Sequence, residues 1–220
     1  MGIRQTVGRK IGEKAAPGIT AGWVKSAFDK AIDGVGPIDP VRESAAAQLE
    51  EHDGDVEKAI AALVSSHARL AGAQGFLTNL GGVATMAFTV PANVSALAVL
   101  QCHLVAGIAH LRGYDVREPR VRDAVMASLL GPDSVKKLVA KKRLPGTPRE
   151  IATGTAAVGS DTAVAKVVAG ELVAQLTGGR TTTLLARKIP LMGGPVGAFT
   201  DTKGTREVGT YAKRELTAVS

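Results

Sequence analysis

LAGAQGFLTNLGGVATMAFTVPANVSALAVLQCHLVAGIAHL, running from Leu70 to Leu111, holds no Asp, Glu, Lys or Arg, although Arg69 and Arg112 stand at its two edges. At a rise of about 1.5 Å per helical residue such a run is long enough for one membrane span or for a short hairpin of two helices. Its interruptions favour the hairpin. Gly75, Gly81, Gly82 and Pro91 break the run, and Thr78, Asn79, Asn93, Gln101, His103 and His110 add polarity that a lipid-facing span avoids. From Val94 to Leu111 a helical wheel places Leu97, Leu104, Ile108 and Leu111 on one side and Val99, His103 and His110 on another. A helix apolar nearly all round is expected to be central and surrounded, with Gly113 ending it.

Outward from this stretch the chain is densely punctuated by helix start and stop signals, with no convincing alternation of polar and β-branched residues. The fold class is therefore all-α: a single multi-helix domain over residues 1–220, with about eight to ten helices around an apolar central helical hairpin. Residues 1–36 form a loosely attached N-terminal segment in this reading. A first helix spans Gly22 to Ile32. Asp39-Pro40 supplies an N-cap with Pro at the first helical position, and Asp55 caps a helix from Val56 to about Leu70. Downstream, helices are expected over Arg120 to Leu130, Ser134 to Arg143, Asp161 to Thr177 and Thr181 to Lys188, with a capping box at Thr147-Pro148-Arg149-Glu150. Gly193 to Gly197 reads as a tight helix start or turn, and a polar tail follows from Lys203.

Composition narrows the partners. Apolar residues make up 45% of the 220 residues but aromatics only 3%, which leaves few platforms for stacking bases and argues against nucleic acid. The formal net charge of +7 suits an anionic partner. Cys102, the single cysteine, sits in the apolar run and packs as a small hydrophobe. The start, Met1-Gly2-Ile3-Arg4-Gln5-Thr6, has no apolar stretch for a secretory signal, so a cytoplasmic protein is expected.

No enzyme signature is present. Gly154 to Asp161 approaches a phosphate loop but lacks its lysine, and there is no dinucleotide fingerprint, nucleophile elbow or zinc-protease motif. His103 and His110 are seven apart, about 10 Å along a helix, too far to hold one metal together. No metal or other cofactor is expected. Asn93, Gln101, His103 and His110 are the candidates for lining a ligand pocket. Basic residues concentrate at Arg4, Arg9 and Lys10, and at Lys136, Lys137, Lys141, Lys142 and Arg143. In the second group Val135, Leu138 and Val139 make a narrow apolar edge, which either lies on an anionic bilayer or packs on the core.

Several segments carry a family resemblance: Gly75-Phe76-Leu77-Thr78-Asn79-Leu80-Gly81-Gly82, Thr89-Val90-Pro91-Ala92-Asn93, Arg112-Gly113-Tyr114-Asp115 with Glu118-Pro119, Ile189 to Ala198, and Glu207 to Ala212. With these the chain resembles the EcsC family from about Ala68 to Ala212. The resemblance implies a mostly bacterial, helical family, named for a protein encoded beside an ABC-type transporter and thought to associate with membranes. It brings no established reaction. Where the family pattern tends to carry an acidic residue near the start of the long helix, this chain has Asn93, which puts a charged role there in doubt.

The leading expectation is a non-enzymatic helical protein that sits peripherally on the inner face of the cell membrane or binds a lipid or other apolar ligand. The alternatives are a protein-interaction or assembly module, including a homo-oligomer, and an enzyme using His103 in a central pocket.

Overall fold

Helix caps and glycine stops set the path of the chain. In the computed structural model, which describes residues 19–79, 86–156, 161–178 and 193–219, nine helices appear among the described residues. Thr20 opens α1 (Ala21–Asp33) by accepting from the Trp23 amide at 3.2 Å, and Val24, Ala27, Phe28 and Ala31 bury its inner face. This helix, within segment 1–36, is thus packed into the core. Gly34, at φ 82°, turns the chain, and a Cβ there would lie 2.8 Å from the Ile38 carbonyl.

One local expectation changes at α2 (Val41–Glu51). No side-chain cap precedes it, so Asp39 is not its N-cap. The Asp39 carbonyl is used instead by a buried histidine, described below. Asp55 does cap α3 (Val56–Asn79), accepting from the Lys58 amide at 3.0 Å. The helix runs well beyond Leu70, through Gly72, because a long partner helix packs along it. Pro91, expected to break the apolar run, does not do so: α4 (Met86–Leu111) runs through it. Its end follows the sequence. Gly113, at φ 87°, donates to the His110 carbonyl at 2.9 Å and Tyr114 to that of Ala109 at 3.0 Å, a left-handed glycine stop.

The second half follows as α5 (Pro119–Ser128), α6 (Gly131–Ala140), α7 (Pro148–Ala152), α8 (Asp161–Gly178) and α9 (Gly193–Glu215). The capping box of α7 forms, with the Glu150 amide 3.3 Å from Thr147 Oγ1 and the Thr147 amide 2.8 Å from Glu150 Oε2. The expected polar tail is a correction: residues from Lys203 belong to α9, a long helix held by tertiary packing. The helix expected over Thr181 to Lys188 lies outside the described residues.

Helix α4 is the axis of the core. Cys102, Leu104, Val105, Ala106, Ile108 and Ala109 are all buried, with α1, α2, α3, α5 and α9 packed around it. Three glycines set how closely α3, α4 and α9 approach. A Cβ on Gly107 would lie 2.6 Å from Leu63 Cδ2, one on Gly209 would lie 2.9 Å from Val64 Cγ2, and one on Gly72 would overlap Thr202. Small residues at these crossings replace the aromatic bulk the sequence lacks. Among the described residues no helix is long and apolar enough to cross a membrane.

Candidate functional site

The four residues singled out from sequence do not meet in one pocket. The Asn93 side chain lies outside the described residues. Gln101 donates to Thr205 of α9 at 3.3 Å. His103, 2% exposed, faces α3 and the α1–α2 loop. His110, at the far end of α4, opens onto a surface cleft.

Around His103 the polar partners are buried. Its Nδ1 is 2.8 Å from Nε2 of His67, and its Nε2 is 2.9 Å from the Asp39 carbonyl. His67, 5% exposed, has its Nδ1 2.8 Å from the Leu63 carbonyl. The two rings lie at 16° to one another with centroids 5.1 Å apart. Burial disfavours charging either ring, and pushes His67 down to about 4 with help from the neighbouring His103. Cys102, beside His103 in sequence, is wholly buried and its thiol is pushed up to about 12. It is not a nucleophile in this state.

The first cleft, about 550 Å³, lies between the α1–α2 region and the end of α4. Arg42, Glu43, His110, Tyr114, Asp115 and Arg117 line it, so that the Arg112-Gly113-Tyr114-Asp115 turn forms one wall. Burial, then the Arg42 charge, lowers the pKa of His110, while Asp115 opposes them. Arg117 is paired with Asp33 at 2.8 Å. Charges of both signs alternate around this cleft and leave no single-sign field.

A second cleft, about 740 Å³, lies between the start of α6 and one face of α9. Lys203, Arg206 and Arg214 come from α9, opposed by Glu207 and by Asp133 of α6. Phe199, on the same face, is 71% exposed. Near the crossing of Gly72 with α9, Leu70 is 55% exposed. Two exposed large apolar side chains at one end of the α3–α9 pair are unusual in a chain that buries most of its bulk.

The basic helix is resolved in its geometry. Lys136, Lys137, Lys141, Lys142 and Arg143 are all exposed on or just after α6, whereas Val135 and Leu138 are 1% and 2% exposed. The apolar edge of α6 is therefore taken up by the core and is not available for insertion into a bilayer; its charges are. Arg4, Arg9 and Lys10 lie outside the described residues. Among the described residues no group of three or more His, Cys, Asp or Glu side chains is placed to hold a metal ion.

Sequence reasoning missed His67. Its partner is 36 residues away, and nothing in the local pattern of α3 marks it. The buried carboxylate Asp123 of α5, 1% exposed, was missed for the same reason.

An all-helical domain wound about the buried middle of one apolar helix, with its buried histidines and cysteine sealed and the cations of α6 outward, is the class that this architecture defines. The chain belongs to the EcsC protein family, whose family model matches residues 20–217. No curated protein and no solved structure matches it.

Proposed function

We propose that this protein is a non-enzymatic, peripheral membrane-binding protein that meets an anionic lipid surface with the face shared by α6 and α9. The observation that carries this reading is the pairing on α9 of 71%-exposed Phe199 with Lys203, Arg206 and Arg214 beside a cleft. An aromatic side chain suits the headgroup boundary, and basic residues near an anionic surface contribute about 1 kcal/mol each. The lysines of α6 are exposed as well and add to the positive charge available to such a surface. Against an enzyme centred on His103 stands the engagement of both its ring nitrogens, away from both clefts.

The test is sedimentation of the full chain with vesicles of phosphatidylcholine alone or mixed with phosphatidylglycerol. Binding to the anionic vesicles only, weakened by salt, is expected. Replacing Lys203 and Arg206 together by alanine should weaken it by about 30-fold, from roughly 1 kcal/mol per charge. Equal absence from both vesicle types removes the proposal. Native mass spectrometry of detergent-free protein separates a surface binder from a carrier, because the second cleft falls within the range of small-molecule sites and a carrier would hold a lipid one to one.

A further inference from the structure

Three short contacts run in a line through the core: the Leu63 carbonyl to His67 Nδ1, His67 Nε2 to His103 Nδ1, and His103 Nε2 to the Asp39 carbonyl, at 2.8, 2.8 and 2.9 Å. A carbonyl oxygen only accepts, so each end of the line requires an N–H, on His67 Nδ1 and on His103 Nε2. A neutral imidazole has one N–H. Two neutral rings therefore spend both protons at the ends and leave two bare lone pairs facing each other at 2.8 Å. Ser66 does not relieve this: its hydroxyl donates to the Leu63 carbonyl at 3.0 Å, and turned instead toward His67 Nδ1 at 3.4 Å it would leave that nitrogen's lone pair facing the Leu63 carbonyl at 2.8 Å.

We propose that His67 and His103 form a buried proton-binding site, which holds one proton beyond those of the neutral rings, shared between His67 Nε2 and His103 Nδ1. The nearly coplanar rings suit an in-line N–H–N bond. Burial opposes charge, yet one charge spread over two rings and capped by a carbonyl oxygen at each end replaces a lone-pair collision by a charge-assisted hydrogen bond. Burial lowers both rings, His67 to about 4 with help from the neighbouring His103, so the shared hydrogen bond has to outweigh that cost for the first proton, and a second charge has no such partner.

Asp39, exposed on the α1–α2 loop, is the charged side chain acting on His103, and it favours the proton. The residues that α1 and α2 bury against α3 and α4 are uncharged, among them Phe28, Ala31, Val41 and Ala45. Of the other helices packed on α4, α9 buries Thr205, Val208 and Tyr211, whose hydroxyl burial raises, and α5 buries the carboxylate Asp123. His110, on α4 itself, lies two turns on, at the first cleft.

The pH dependence follows from counting protons. Above the unfolded histidine value of about 6.5 the unfolded chain binds neither proton and the folded pair keeps one, so stability falls as pH rises. Below about 6.5 the unfolded chain binds two and the folded pair one, so stability also falls as pH drops toward 4. A neutral pair would give no slope above 6.5. Cys102 and Tyr211 resist ionisation and add a falling slope only above about pH 8.5, which leaves the window from 7 to 8 for the dyad.

Two measurements on the full chain decide it. In the ¹⁵N-labelled protein at pH 7.5, with His52 and His110 assigned by H52Q and H110Q, the dyad should show one far-downfield proton coupled to two ring nitrogens. Two nitrogens at the bare, unprotonated position would overturn the proposal. In denaturant unfolding the folding constant should drop about tenfold per pH unit between 7 and 8. His67→Gln should abolish that drop, since the Gln amide can donate to a neutral His103. A flat wild-type profile, or an equal drop in H67Q, would also overturn it.

Discussion

The inner half of α4 and the outer face of α9 are both helical surfaces built largely without aromatics, and they meet opposite fates. On α4, residues 102–109 are closed in on every side, and even the polar His103 is absorbed by partners from two other elements. On α9, Thr205, Val208 and Ala212 face inward while Phe199, Lys203, Arg206 and Arg214 face out. The contrast lies in what surrounds each helix. Five helices close around the middle of α4, whereas α9 lies mainly along α3, with lighter contacts to α4, α5, α6 and α7, and keeps one side exposed to carry charge. An apolar sequence is thus used here as structure, and the surface chemistry is delegated to a later, more polar helix.

The contrast is sharpest in its energetics. Leu104→Ala, at a fully buried position, should lower the unfolding free energy by about 2–5 kcal/mol in denaturant titration. A loss below about 1 kcal/mol would mean that α4 is not the axis of the core. Gly209→Val, which drives a side chain into Val64 and Leu104, should cost about 1–3 kcal/mol and leave helical content intact. Thr147→Ala, remote from both surfaces, removes the cap of α7 and should cost about 1 kcal/mol. At the other end of the scale, Lys136→Glu and Lys137→Glu together should change stability by no more than about 0.5 kcal/mol while reducing binding to anionic vesicles. A large stability loss from that pair would show the outward charges to be structural.

Local signals were legible in the sequence and long-range ones were not. The Gly113 stop, the Asp55 cap and the Thr147 capping box are set by residues within a few positions of one another, and each forms as the sequence indicates. The apolar wheel marks a helix that is surrounded over residues 102–109, while Ala96 is exposed. By contrast α9 opens with glycines and proline and continues with charged residues; its helix rests on packing against α3, far away in sequence. Asp39 has the side chain of a cap, yet its backbone carbonyl is the group in use. The separation of His103 from His110 was evident, but the true partner of His103 sits on another helix and carries no periodic signature.

The lengthwise pairing of α3 with α9 also has a consequence for how the chain is made. With α4 ending at Leu111 and α9 closing at Glu215, the ribosome must add roughly another hundred residues, which takes on the order of 5–20 s at ordinary elongation rates, before the hairpin acquires its last wall. Once that stretch clears the exit tunnel, it waits for α9 without its cover. Biogenesis, more than equilibrium stability, is where this architecture is exposed, and a holdase-type chaperone that engages residues 70–111 on the nascent chain is the kind of help it calls for.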